Sequence, residues 1–156
     1  MHAASSKDLI HWKRGPIVLR PRPRFFDSQL IEAGPPPLLT TDGILVMYNG
    51  KNHAQIGDRA VPANTYAGGQ ALFDHAKPTR LLARLDQPFF KPELPFEKTG
   101  QYAAGTTFTE GLVFFKNKWF LYYGCAYSFV GVATCNPSSP EGFSEIRSIN
   151  YEKEIE

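Results

Sequence analysis

The sequence predicts an all-β chain built from repeated antiparallel sheets, and three observations carry that prediction. Thirteen Gly and thirteen Pro are spread along 156 residues, so turns come too often for long helices. Apolar runs of strand length recur between turn signals, without the three-and-four spacing of a helical stripe. The chain also repeats itself, because a hairpin ending in Tyr48-Asn49-Gly50 returns as one ending in Tyr122-Tyr123-Gly124.

Taken in order, residues 6–12 (SKDLIHW) read as the tail of a preceding sheet. Arg20, Arg22 and Arg24, interleaved with Pro21 and Pro23, read as a solvated loop. Next comes EAGPPPLLTTDGILVMYNG. Proline fixes φ and has no backbone donor, so Pro35, Pro36 and Pro37 set the approach to a strand and stay out of a central one. Glu32 is then expected at a strand mouth, delivered by stiff backbone. Residues 38–41 and 44–48 form a hairpin across Thr41-Asp42-Gly43, an Asp-Gly turn signal. Residues 69–74 and 80–85 supply a third and an outer strand. The second unit repeats the order: residues 111–115 and 119–123 flank Lys116-Asn117-Lys118, and residues 130–135 and 146–151 follow. Trp12 and Trp119 read as packing between sheets.

Four antiparallel strands per unit is the composition of a propeller blade. The count is about two blades plus part of a third, against roughly four to eight in closed propellers. A blade buries its faces only against neighbours, so two blades leave apolar surface wet. Residues 1–156 are therefore expected to be the C-terminal portion of one propeller domain whose N-terminal blades are absent. Association of copies through blade faces, or sandwich packing of the repeats, are the other ways to cover that surface.

Several classes of function are excluded by composition. A net charge of +2 with scattered basic residues offers no nucleic-acid surface. No stretch approaches the roughly 20 apolar residues of a membrane helix. Cys125 and Cys135 flank a hairpin and read as buried thiols. The four histidines lack ligand spacing, which leaves no metal site and no cofactor, with His53 the one histidine to examine. The first residues show no charged-then-apolar leader, and the compartment stays open.

The segments FDSQLIEAGPPPLLTTDGILVMYNGKN, NTYAGGQALFD, PTRLLARLDQPFF and EGLVFFKNKWFLYYGCA resemble glycoside hydrolase family 130. The resemblance implies a five-bladed propeller that acts on β-mannosides, as phosphorylase or hydrolase, with inversion. It implies a general-acid aspartate in an N-terminal half that has no counterpart here. Phosphorylases of the family hold phosphate with a lysine and a histidine, whose places fall on Leu30 and Asn49. Hydrolytic members place glutamates there to polarise water, and Glu32 fits that position as general base. An inverting enzyme needs its two carboxyl groups about 6.5–9.5 Å apart, with water between.

Candidate sugar-binding residues surround Glu32. Asp27 either braces the same loop or touches sugar. Tyr66 and Gln70 flank Gly68-Gly69, where backbone can approach closely. Asn49 borders the same region, Glu110 directly precedes a strand, and Tyr127 stands where the family usually has aspartate. The expected activity is inverting hydrolysis of β-1,2-linked mannose in a mannose-containing oligosaccharide. A β-mannoside phosphorylase using inorganic phosphate, and a non-catalytic carbohydrate-binding or incomplete piece, are the alternatives.

Overall fold

A computed structural model describes residues 1–126, 129–135 and 152–154, the last as backbone. The strands are β1 (His2–Ser5), β2 (Lys13–Ile17), β3 (Leu30–Ala33), β4 (Leu38–Thr40), β5 (Gly43–Lys51), β6 (Tyr66–Phe73), β7 (Leu81–Arg84), β8 (Phe108–Phe115), β9 (Lys118–Cys125), β10 (Phe129–Cys135) and β11 (Glu152–Glu154). A single 3₁₀ turn covers Pro95–Glu97. The chain is all-β, as expected. No helix among the described residues is long and apolar enough to cross a membrane.

These strands form a β1-β2 hairpin, a sheet in the order β3-β5-β6-β7 with β4 also on β5, and a sheet in the order β11-β10-β9-β8. Both expected hairpins are present. Thr40 accepts the amide of Asp42 on its hydroxyl and donates that hydroxyl to the Gly43 carbonyl, closing the first turn. Lys116 and Asn117 both take positive φ, 47° and 60°, the handedness that suits a tight hairpin. Residues 146–151, the expected outer strand of the second unit, lie outside the described residues; β11 pairs with β10 through Thr134 and Glu152.

Four local expectations are corrected. Glu32 lies inside β3, opposite Asn49 of β5, and the prolines follow it. They split one edge strand in two: β3 ends with Ala33 opposite Tyr48, and β4 begins with Leu38 opposite Leu45. Three successive residues without N–H groups cannot pair between those points. Residues 6–12 are the loop between β1 and β2, where Asp8 Oδ1 accepts the amides of Ile10 and His11 and Ser6 Oγ accepts that of Leu9. Trp12 is 59% exposed there, so it packs between no sheets. Arg22 is ion-paired to Asp27 and Asp86, so the arginine-proline segment is tied to the fold.

β5 is buried on both sides because a core lies against each face. Tyr48 and partly buried Val46 join Phe26, Ile31, Ala71 and Phe73 in one core. Leu45 and Met47 join Phe90, Leu121, Tyr123 and Ala133 in the other, between the two large sheets. Each fully buried aliphatic or aromatic side chain contributes about 1.5–3 kcal/mol. The sheets are also joined by polar bonds. Asn49 donates its amide to the carbonyls of Ala33 and Thr109 and accepts the amide and hydroxyl of Thr109 on Oδ1. Phe90 and Gly68 form an isolated bridge, and Tyr66 runs parallel to Thr106.

Candidate active site

A cavity of about 610 Å³ opens where β6, β8 and β10 begin and β9 ends. Its size lies in the range of small-molecule pockets, about 300–1,000 Å³. Glu32, Tyr66, Tyr102, Thr106, Phe108 and Glu110 line it, with Gly124, Cys125, Ala126, Phe129 and Val130 completing the wall.

Register explains why these side chains meet. Residues directly opposite in antiparallel strands share a face, so Glu32 of β3, Asn49 of β5 and Gly68 of β6 point to the same side. That side is the one facing β8, because Asn49 bonds to Thr109. Leu30, Lys51 and Tyr66 form the next such row. Glu110 reaches the cavity by another device. The β8-β9 register slips between Thr109 and Gly111, which leaves Glu110 as the extra residue of a bulge, a feature that re-aims a side chain.

The aromatic wall is held firmly. The Tyr66 ring meets Tyr102 edge-on at 6.2 Å and Phe108 at 5.8 Å, and Lys51 Nζ lies 5.1 Å from its centroid. Such a ring can stack on a sugar face while the two carboxylates orient hydroxyls or water. Among the described residues, the cavity lining contains no Lys, Arg or His.

Three candidates from the sequence come together here: Glu32, Tyr66 and Glu110. Asp27, Asn49 and Gln70 do not line the cavity. The Asp27 carboxylate is fully buried and held by Arg22, Arg84 at 2.6 Å and the Tyr48 hydroxyl at 2.7 Å, so its acceptors are occupied within the fold. Asn49 uses both ends of its amide in joining the sheets. Gln70 is 3% exposed on the β6 row that faces the second core. Tyr127 lies outside the described residues. His53 accepts the amides of Gln55 and Ile56 on Nδ1, which is a loop-forming role. Cys125 and Cys135 are buried and not joined in a disulfide, at opposite ends of the β9-β10 pairing. No cluster of His, Cys, Asp and Glu that could hold a metal occurs among the described residues.

Sequence reasoning missed Tyr102, Thr106 and Phe108, and it read Glu97 only as a carboxylate near a strand end, not as the buried group it is. Glu97 accepts the amides of Glu93 and Leu94 on Oε2 and the Tyr123 hydroxyl on Oε1 at 2.7 Å. The two prolines of KPELPFE were its available signal, since they favour a short turn that a glutamate side chain can close. Burial and the Glu97 carboxylate push the Tyr123 phenol well above its usual range. Burial and Asp27 do the same to Tyr48.

The family profile described as beta-1,4-mannooligosaccharide phosphorylase matches residues 1–138. A 1,2-beta-oligomannan phosphorylase of Thermoanaerobacter sp. (strain X514) is 34% identical over 130 residues, 83% of this chain and 40% of that protein. A glycosyl hydrolase from Bacteroides ovatus superposes with a TM-score of 0.85 at 54% identity, covering 89% of this chain and 41% of that one. A structure described with the family's glycoside hydrolases that target β-1,2 mannosidic linkages in Candida mannan gives a TM-score of 0.86 at 52% identity, covering 89% of this chain and 41% of that one. The chain thus spans about two fifths of the length of these relatives. With a family profile matched along most of its length and a cavity of carboxylates and aromatic rings between its sheets, the chain belongs to glycoside hydrolase family 130, a family of β-mannoside phosphorylases and hydrolases.

Proposed function

We propose that the whole protein hydrolyses β-mannosides, with β-1,2-linked mannose as the substrate linkage, by a single displacement that inverts the anomeric carbon. Residues 1–156 are, in this reading, the C-terminal portion of a five-bladed propeller, contributing about two blades and part of a third. Glu32 acts as the base that draws a proton from the attacking water, and Glu110, Tyr66 and Tyr127 contact sugar. The general acid comes from the part of the domain that these residues do not include. The observation that carries the reading is the sharing of one aromatic-walled cavity by Glu32 and Glu110, with no basic side chain in its lining among the described residues. A phosphate dianion is poorly held by such a wall, whereas water beside a carboxylate is activated by it. The identities support it, at 54% to the Bacteroides ovatus glycosyl hydrolase and 52% to the structure described with hydrolases of β-1,2 mannosidic linkages, against 34% to the oligomannan phosphorylase.

One observation favours phosphorolysis. Lys51 stands directly opposite Leu30, the position where the resemblance expects a phosphate-binding lysine, so a neighbouring strand brings an ammonium to the same row. Product analysis separates the readings: the whole protein, given β-1,2-mannobiose with and without phosphate, is expected to release mannose in both. Glu32→Gln should lower turnover by about 10²-fold or more. Mannose 1-phosphate formed only when phosphate is present, together with its loss in Lys51→Met, would replace hydrolysis by phosphorolysis.

A further inference from the structure

We propose that Thr106 is a substrate-binding residue whose hydroxyl hydrogen-bonds a sugar hydroxyl in the Glu32–Glu110 cavity, an assignment that rests on the carbohydrate reading above. The segment GTTFTEG carries three threonines with different fates. Thr107 donates its hydroxyl to the Tyr66 carbonyl, at the 3.5 Å limit of such a bond, and Thr109 donates to Asn49 Oδ1 at 2.9 Å. Thr106, 6% exposed, has no hydrogen-bond partner on Oγ1 among the described residues. A buried hydroxyl left unpaired is a standing cost to the fold.

Two other buried polar atoms are unpaired, Gln70 Nε2 and Trp119 Nε1, and neither residue lines the cavity. Thr106 does, beside Tyr66, with which it forms a parallel bridge, in the same wall as the two carboxylates. A threonine hydroxyl changes place by one step about χ1 between staggered wells, and it can both donate and accept. A polyol in the cavity supplies the missing partner. Carboxylates only accept when ionised, so a group that also donates lets the site recognise a sugar oxygen acting as acceptor.

The test is calorimetric titration of the whole protein, slowed by Glu32→Gln so that sugar is not consumed and otherwise as wild type, Thr106→Val and Thr106→Ser, with β-1,2-mannobiose and separately with cellobiose. Valine keeps the shape and deletes the hydroxyl; it should weaken mannobiose binding about tenfold, while serine stays within about twofold of wild type. Without sugar, the valine variant should melt no lower than wild type, because no protein hydrogen bond is lost. Unchanged mannobiose affinity in Thr106→Val, or a fall of more than about 4 °C in its ligand-free Tm, overturns the assignment and leaves the mannoside reading standing. Binding of cellobiose alone, with the valine penalty intact, overturns the mannoside reading and leaves Thr106 in place. Binding of neither sugar to wild type overturns both.

Discussion

Tyr123 donates its hydroxyl to Glu97 Oε1 at 2.7 Å, and the ring end that carries that hydroxyl occupies the space where a Cβ on Gly131 would stand. Tyr48 stands in the same relation to Asp27 and Gly69. Two buried tyrosines, each in the second strand of a hairpin and each covering a glycine of the next strand, therefore mark equivalent places in the two large sheets. Removing one hydroxyl isolates its contribution. Tyr123→Phe leaves the ring in place and takes one donor from a buried carboxylate. Hydrogen bonds to charged groups are worth about 1.5–3 kcal/mol, and urea unfolding should show a loss of that size.

The glycines are the other half of the device. A methyl group at Gly69 collides with the Tyr48 ring and hydroxyl, and that ring is fixed by Phe26 stacked at 6.2 Å and by Arg84, whose Nε donates to its hydroxyl at 3.0 Å. Relief requires backbone movement. Gly69→Ala is expected to cost about 1–3 kcal/mol, the range for overpacking a well-filled interior. Gly111→Ala is the matched control, since its nearest atom is a Tyr122 carbon at 3.5 Å, an ordinary contact. Equal melting temperatures for the two variants would refute the steric account.

Both phenols are held protonated in the folded chain, since burial raises their pKa above the ordinary 10.0. Unfolded chains release those protons as pH passes about 10, while the folded chain keeps them. Stability is therefore fully present below pH about 10 and falls above it, by up to about 1.4 kcal/mol per pH unit for each tyrosine. A Tyr48→Phe, Tyr123→Phe double variant starts less stable but should show a flatter decline above pH about 10. Denaturant midpoints measured from pH 8 to about 11 give the comparison.

Both hairpins were legible in the sequence because their turns carry local signals, Thr41-Asp42-Gly43 and Lys116-Asn117-Lys118. The position of Glu32 was legible only in part. The prolines announced an interruption, but that a strand precedes them as well as following them depends on the pairing of Ala33 with Tyr48, across the whole β4-β5 hairpin. Asp27 and Asn49 misled for a related reason. A carboxylate or amide near a predicted pocket looks the same in sequence whether it meets a ligand or a partner such as Arg84 or Thr109, and only the register decides. Glu110 was legible as a residue ahead of a strand, while the bulge that turns it to the cavity depends on how β8 meets β9. Tyr102 and Thr106 lie where no periodic pattern exists, so nothing local distinguished them.

Asn49 gives the last and sharpest expectation, because it is a buried side-chain link between the sheets that form the cavity. Its amide bonds the Ala33 and Thr109 carbonyls, and its oxygen takes the Thr109 amide at 2.7 Å in a fully buried setting. Asn49→Ala leaves a buried N–H without an acceptor and two carbonyls without that donor, which should cost about 2 kcal/mol or more. Asn49→Asp should be worse, since a carboxylate oxygen then faces the two carbonyl oxygens with no proton between them. Amide hydrogen exchange locates the effect. Exchange at Thr109 should quicken in both variants beyond the change at Leu72, whose pairing with Leu45 lies within one sheet. Equal acceleration at the two amides would mean that Asn49 supports the fold as a whole and not the seam between the sheets.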